Sequence, residues 1–150
     1  MFPVEPWRLR LVIQGKPVSW KRAGRGGGMT FTPKDVRDYQ RRVKDHALRA
    51  WRGRAPWEGP VRATIWVSFP LNKTGKEAGA GRFGDADNFA KCVLDALNGL
   101  VYKDDRQVWP VETRRARGTP LGCLYVELTE QDPEALIEPA PEWARGLDGA

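Results

Sequence analysis

The sequence VRATIWVSF at residues 61–69 predicts one structural element more clearly than any other stretch of the chain. Apolar residues occupy every second position, and the residues between them are more polar. Such alternation is typical of a β-strand that buries one face and exposes the other. An interface would explain the tryptophan among the polar positions. The predicted buried face comprises Val61, Ala63, Ile65, Val67 and Phe69, and the exposed face comprises Arg62, Thr64, Trp66 and Ser68.

Two further elements are predicted on the N-terminal side of this strand. Residues Arg8–Gln14 alternate between apolar and polar and therefore predict a half-buried strand. A helix is predicted at residues 33–51, because Thr32 is a typical N-cap and Pro33 suits the first helical position. Residues 15–32 combine glycines with basic residues and predict a mobile basic loop. The apolar stripe of the helix consists of Val36, Tyr39, Val43, Ala47 and Ala50.

A second helix is predicted on the C-terminal side of the strand. Residues 71–84 precede it and are too rich in glycine and polar residues to fold on their own, which predicts a flexible loop. The helix extends from residue 86 to about residue 98, and Gly99 suits the left-handed conformation that often ends a helix. Its buried stripe consists of Phe89, Cys92, Val93, Ala96 and Leu97.

Two strands follow the second helix. The first lies near residues 107–115, and Pro110 places it at a sheet edge or a bulge because proline donates no ladder hydrogen bond. The second, at residues 121–129, is more apolar. The order β-α-β-α-β-β predicts an α+β fold in which two helices pack on one face of a small mixed sheet. We expect residues 1–130 to form one domain and the acidic, proline-rich residues 131–150 to form a poorly ordered tail.

The composition excludes several classes of protein. The chain has 150 residues, which suit a single domain. No apolar run approaches the roughly 20 residues that a membrane helix needs. The N-terminal sequence has an acid at Glu5 and no apolar signal-peptide segment. Cys92 and Cys123 are the only cysteines, so we expect reduced thiols in a cytoplasmic protein.

The charge of the chain is unevenly distributed. The net charge is +6, but residues 1–60 contain fourteen Lys and Arg against five Asp and Glu. Residues 127–150 contain one basic residue against seven acids. The basic N-terminal half suits a polyanionic partner, of which nucleic acid is the most common. Solvated helix faces in an arginine-rich protein would produce the same excess, so charge alone leaves both explanations open.

Five aspartates of this basic chain lie together in residues 84–108, GDADNFAKCVLDALNGLVYKDDRQV. Asp87, Lys91 and Asp95 are four residues apart and therefore stack along the exposed side of the second helix. Asp85 precedes Asp87 by two residues, so both lie near the helix N-terminus, where the helix dipole favours carboxylates. A helix cap explains one aspartate there, whereas the pair needs a further explanation.

Asp104 and Asp105 decide between two interpretations of this cluster. They follow the second helix, in a turn that can bring them back beside that helix. If Asp105 lies within ~5 Å of the other carboxylates, each pair repels by about 3 kcal/mol at an effective dielectric constant of ~20. A divalent cation would offset this repulsion, and oxygen ligands select Mg²⁺ or Mn²⁺. As ordinary turn residues in water, both aspartates would need no metal, and Lys91 would be a simple salt-bridge partner of Asp87.

The same residues carry a resemblance to a known family. The elements D-x-D-N-x-x-K at residues 85–91, D-A-L-N-G at 95–99 and D-D-x-Q at 104–107 closely resemble the signature of RusA-type Holliday junction resolvases. The resemblance is looser at the N-terminal strand and helix, and it covers residues 8–129. The glycine-rich insert before Gly84 and the acidic tail depart from the shorter members of the family.

The resemblance implies a homodimeric, Mg²⁺-dependent endonuclease, with Mn²⁺ able to replace Mg²⁺, that nicks two strands of a four-way DNA junction symmetrically. It implies a cytoplasmic protein of bacterial or phage origin with no organic cofactor and no membrane partner. By position, Asp85, Asp87 and Asp105 match the acidic metal ligands and Lys91 matches the catalytic lysine. Asp104 and Asp95 also match the pattern, and we expect them to have supporting roles, with Asp95 orienting Lys91.

Basic residues of the two glycine-rich loops are the expected DNA contacts. Together they would give the affinity for DNA a steep salt dependence. Two alternative functions remain at this stage, namely a metal-dependent nuclease that cuts flaps or other branched DNA, and a non-catalytic junction-binding protein. The expected contacts are Lys16, Lys21, Arg22 and Arg25 in the first loop, and Lys73, Lys76 and Arg82 in the second.

Overall fold

The computed structural model describes residues 5–21, 24–26, 29–77 and 86–147 of the chain. The predicted fold class is confirmed, because a four-stranded mixed sheet packs with two helices. None of the helices in these ranges is long and apolar enough to cross a membrane. In chain order the elements are β1 (Arg8–Gln14), β2 (Gly24–Gly26), β3 (Met29–Phe31), α1 (Lys34–Trp51), β4 (Val61–Ser68), α2 (Ala86–Leu97), β5 (Val108–Arg115) and β6 (Cys123–Glu130).

The main sheet has the strand order β1-β6-β4-β5. β6 runs antiparallel to both of its neighbours, β1 and β4, whereas β4 and β5 run parallel to each other. A parallel pair needs a crossover connection, and α2 lies in the connection between β4 and β5. β5 lies at the edge of the sheet, which confirms the prediction made from Pro110.

One face of this sheet forms the hydrophobic core together with the two helices. Apolar residues of β1 lie opposite apolar residues of β6, as in the pairs Leu11–Val126 and Ile13–Leu124. β4 continues these rows on the other side of β6, where Ile65 is the partner of Val126. All of these side chains are buried, and they belong to the same cluster as the buried residues of α1 and α2.

The predicted exposed face of β4 is wrong at two positions. Thr64 and Ser68 are buried although the alternation places them toward solvent. β4 has a strand on each side, and the segment after β5 folds over its end. The Ser68 hydroxyl donates a hydrogen bond to the carbonyl oxygen of Arg117 (2.8 Å) and lies 3.1 Å from the Thr119 hydroxyl. Trp66 is half-buried, and the interface expected there stays a prediction.

α1 begins one residue later than predicted. Its N-cap is Pro33, and no side chain accepts a hydrogen bond at this cap, so the predicted Thr32 cap is wrong. Inside the first turn the Asp35 carboxylate accepts a hydrogen bond from the Val36 N–H (3.0 Å) instead. The apolar stripe is otherwise buried as predicted at Val36, Tyr39, Val43 and Ala47.

The C-terminal end of α1 corrects the last position of this stripe. Ala50 is exposed, and Trp51 is buried in its place. The helix ends at Trp51, and its C-cap Arg52 has a φ of 55°, in the left-handed region. The Trp51 ring then packs edge-on against Trp7, with ring centroids 5.0 Å apart. Contact with this large aromatic ring, and not helical spacing alone, therefore decides which residue is buried.

α2 confirms the predicted second helix. Ala90 and Leu94 are buried in addition to the predicted stripe, because α2 packs between α1 and β5. Gly99 has a φ of +79°, as expected for a left-handed helix end. The side-chain amide of Gln40 in α1 donates a hydrogen bond to the carbonyl oxygen of Cys92 (3.0 Å) and so joins the two helices. The confirmed stripe is Phe89, Cys92, Val93, Ala96 and Leu97.

The glycine-rich loops and the C-terminal segment contain some regular structure. β2 and β3 pair as a short antiparallel hairpin inside the first predicted loop. In the second loop, Asn72 and Lys76 close a turn through a backbone hydrogen bond of 2.7 Å, and residues 78–84 of that loop lie outside the described residues. The segment after β6 contains two short 3₁₀ turns, Pro133–Leu136 and Glu142–Ala144. The division into a domain and a poorly ordered tail stays a prediction.

Candidate functional site

The exposed side of α2 carries the charged residues predicted from the sequence. Asp87 lies in the first turn of the helix and is exposed. Lys91 and Asp95 follow at intervals of one turn, with 47% and 32% of their side-chain surfaces exposed. Asp85 lies outside the described residues. Because the opposite side of α2 is buried in the core, the helix presents an acidic, basic, acidic stripe to solvent.

Lys91 is held by two partners. Its ammonium Nζ lies 3.2 Å from Oδ2 of Asp95, one helical turn away. The same nitrogen lies 5.1 Å from the centre of the Trp20 ring, a distance typical of a cation–π contact. The contact expected between Asp95 and Lys91 is therefore present. These partners restrict the positions that the flexible lysine side chain adopts.

Trp20 is a residue that the sequence patterns did not single out. It lies in the loop after β1, and its backbone N–H donates a hydrogen bond to the carbonyl oxygen of Asn88 in the first turn of α2 (2.9 Å). Pro17, in the same loop, is buried. This anchoring fixes the loop against α2 and places the indole ring beside Lys91. The only sequence signal was an aromatic residue within a basic, glycine-rich loop.

Asp104 has a structural role that the sequence left undefined. It is the N-cap of a 3₁₀ turn, Asp105–Gln107, and its carboxylate accepts a hydrogen bond from the Arg106 N–H (2.9 Å). The Gln107 side-chain oxygen accepts in return from the Asp104 N–H (2.9 Å), which completes a capping box. The hydrogen bond from the Arg106 N–H, together with the Arg106 guanidinium, lowers the pKa of Asp104 below its ordinary value.

Gln107 anchors this turn to the segment before β4. Its side-chain amide donates hydrogen bonds to the carbonyl oxygens of Trp57 and Gly59, each at 2.8 Å. The backbone of Trp57 is itself bonded to Val101, in the turn after α2 (2.8 Å). The 3₁₀ turn is therefore fixed on both sides, and so is Asp105 at its start.

We expect Gln107→Ala to lower the free energy of unfolding by about 2–3 kcal/mol, since it removes two hydrogen bonds to carbonyl oxygens and half of a capping box. Urea unfolding of the variant and the wild type measures this difference. Arg106→Ala is the matched control, because that side chain is 87% exposed and its loss is expected to change stability by at most about 0.5 kcal/mol. Equal stability of the Gln107 variant and the wild type would contradict the anchoring role.

Asp105 lies beside two other carboxyl groups, those of Asp104 and Asp95. Burial raises the pKa of Asp105 above its ordinary value, and the neighbouring carboxyls of Asp104 and Asp95 raise it further. Asp95 in turn pairs with Lys91. A continuous array of charged side chains thus leads from the 3₁₀ turn to the middle of α2.

The described residues contain only part of the predicted metal site. Asp105 interacts with Asp95, and Asp87 lies two turns from Asp95, or about 12 Å along the helix axis. Within the ranges that the structure describes, no group of three or more His, Cys, Asp or Glu side chains is placed to hold a metal ion. The donor chemistry nevertheless fits a hard cation, because these acids offer only oxygen donors.

The two cysteines are not nucleophile candidates. Both are buried and neither forms a disulfide, which confirms the expected reduced thiols. Burial raises the pKa of the Cys92 thiol to about 12, and a thiol is a strong nucleophile only as the thiolate. The chemistry available on α2 is therefore that of carboxylates and an ammonium group.

The predicted DNA contacts differ in their surroundings. Lys16, Lys73 and Lys76 are exposed. Lys21 is exposed too, but it forms an ion pair with Asp35 at the start of α1. Arg22 and Arg82 lie outside the described residues, and of Arg25 the structure describes the backbone, in β2, but not the side chain.

Comparison with known proteins identifies one family. The sequence profile of the endodeoxyribonuclease RusA family matches residues 14–129, which is more than half of the chain. The matched range begins at the end of β1, ends within β6, and includes α2 and the capped 3₁₀ turn. No curated protein shows significant similarity to the chain.

Proposed function

Because the chain belongs to the endodeoxyribonuclease RusA family, and is thus a DNA endonuclease, we propose that it resolves four-way (Holliday) DNA junctions by paired symmetric nicks. Mg²⁺ is the proposed cofactor, and recombination and repair are the proposed setting. The observation that carries this proposal is the family match across the charged array of α2 and the following turn. The basic N-terminal half supports the choice of a polyanionic substrate.

Asp85, Asp87 and Asp105 are the proposed metal ligands. Their oxygen donors suit Mg²⁺, and Mn²⁺ should replace it. The raised pKa of Asp105 supports a cation near this carboxylate, since burial and the carboxyls of Asp104 and Asp95 disfavour its ionised form and a cation would favour it. When bound, the ion would lower the pKa of a water molecule and neutralise charge that develops on the phosphate.

Lys91 is the proposed catalytic cation. Its ammonium group would donate hydrogen bonds to the phosphate oxygens or to the leaving oxygen, where charge grows in the transition state. Asp95 and Trp20 act as positioning residues, because they hold Nζ in place before the substrate arrives. Almost half of the Lys91 side chain is exposed, which leaves room for contact with a phosphate.

The proposed assembly is a cytoplasmic homodimer without an organic cofactor. Resolution of a junction requires two nicks in strands related by symmetry, and a dimer with one site in each subunit supplies both. A single-domain protomer, residues 1–130, would carry one such site, and the acidic tail would add nothing to the chemistry. Sedimentation of the purified protein tests the dimer, because a monomer at concentrations that support cleavage would contradict it.

A comparison of substrates tests the proposed function. Cleavage rates are measured on a fixed four-way junction, a 5′ flap and a linear duplex of the same sequence, each in Mg²⁺ and in EDTA. We expect rapid cleavage of the junction in Mg²⁺ and none in EDTA. Preferential cleavage of the flap would favour a nuclease for other branched DNA. Equal affinity for the junction in Mg²⁺ and in EDTA, with no strand cleavage, would identify a non-catalytic binding protein.

A further inference from the structure

α1 carries a stripe of basic residues that has no role in the proposed site. Arg37, Arg41 and Lys44 lie at the i, i+4, i+7 positions of the helix, so their side chains lie on one flank. All three are exposed. They span about 10 Å along the helix axis. We refer to these three residues as the α1 stripe.

The α1 stripe is unpaired within the described part of the chain. None of its three members forms an ion pair or a hydrogen bond through its side chain there. Two other cations at α1 have partners, since Lys34 pairs with Asp38 at 3.0 Å and Arg42 donates to the carbonyl oxygen of Gln14. Three adjacent cations without ion-pair partners repel one another, and an anionic partner would relieve that repulsion.

The position of the stripe indicates which anionic partner it suits. It flanks Gln40, whose side chain is bonded to the Cys92 carbonyl of α2, so the stripe borders the groove between the two helices. Packed helices lie about 8–10 Å apart, a distance that about three phosphates of one DNA strand span at 3.4 Å of helix axis each. A duplex that reaches the exposed side of α2 is therefore long enough to reach the adjoining flank of α1 as well.

We propose that the α1 stripe binds the phosphate backbone of one duplex arm while the cut strand lies at α2. The proposal rests on the proposed function for the identity of the substrate. A DNA strand presents one charge per about 3.4 Å of helix axis, so three cations within ~10 Å match a short run of phosphates. The stripe also counters the repulsion between DNA and the acids of α2, which would otherwise weaken the approach of the substrate.

A triple substitution tests the stripe without any cleavage step. The variant R37Q/R41Q/K44Q is compared with R49Q/R62Q/R145Q, which removes the same charge from exposed positions outside the stripe, Arg49 lying on another flank of α1. Binding to a fixed four-way junction is measured in EDTA at several salt concentrations. We expect the stripe variant to lose roughly tenfold or more in affinity near 0.1 M salt, with its salt slope flattened by about 2–3. The control should lose much less, and both variants should keep the unfolding midpoint of the wild type.

Two results would overturn the proposal: wild-type affinity of the stripe variant, or equal losses in the stripe variant and the control. The second result would mean that total charge and not location governs binding. Cleavage by the wild type in Mg²⁺ is scored separately. A wild type that cuts junctions beside a stripe variant that binds normally rejects the stripe alone. A wild type that binds through the stripe but never cuts rejects the proposed function alone.

Discussion

Asp87→Asn is expected to lower the rate of junction cleavage by roughly 1,000-fold or more, because it removes a charged ligand from the proposed metal site. Junction binding in EDTA should remain close to that of the wild type, since binding relies on basic residues elsewhere. Asp87 is exposed, so the isosteric change should leave the fold intact. Single-turnover cleavage with saturating enzyme separates the chemical step from binding. Asp105→Asn should behave in the same way.

The control for this pair is Asp38→Asn, the same chemical change at an exposed position of α1 that pairs only with Lys34 among the described residues. Its cleavage rate should equal that of the wild type within a factor of about two, as for most surface substitutions. If Asp87→Asn still cut at the wild-type rate in Mg²⁺, Asp87 would have no part in the mechanism.

Lys91→Ala is expected to reduce the cleavage rate by about 100-fold to 1,000-fold, the usual loss when one donor to a developing oxyanion is removed. The apparent affinity for the junction should change by no more than a few fold, because the effect lies in the transition state. Lys91→Arg should recover part of the rate, since it keeps the charge but not the shape of the ammonium group. Single-turnover rates at saturating enzyme provide the measurement.

Trp20 provides the matched test of positioning. Trp20→Leu should lower the single-turnover rate about two- to fivefold, the value of a partly exposed cation–π contact, whereas Trp20→Phe should retain most of the activity. A loss of affinity with an unchanged rate constant would instead place Trp20 in DNA binding. If Lys91→Ala kept the wild-type cleavage rate, Lys91 would be only a surface ion-pair partner of Asp95.

Most of the fold follows from local patterns in the sequence. The alternation in β1 and β4, the helical stripes, and the glycine after α2 each depend on neighbouring residues alone. Ser68 was misassigned because its burial depends on a segment beyond β5 that packs over the end of β4. Trp51 replaces Ala50 because of a contact with Trp7, which lies before β1. Alternation and helical spacing carry no information on such long-range contacts.

The candidate site was predictable in composition but not in arrangement. The spacing of Asp87, Lys91 and Asp95 predicted that they lie on one side of a helix, and the structure confirms this arrangement on α2. Residues 104–107 have the D-x-x-Q spacing of a capping box, in which the Asp104 N–H donates to the Gln107 side-chain oxygen, so this cap was predictable from local sequence. The contact between Trp20 and Lys91 joins two elements that are distant in sequence. Local spacing predicts which side of a helix is exposed, whereas the packing of loops determines which residues contact that side.

The central claim is that this chain resolves four-way junctions with a divalent cation. The most direct measurement maps the cut positions on all four strands of a fixed junction, labelled one strand at a time, in Mg²⁺ and in EDTA. The account predicts paired nicks at symmetric positions in two opposing strands, in Mg²⁺ only. Cleavage that persists in EDTA, or a single nick without a symmetric partner, would contradict it.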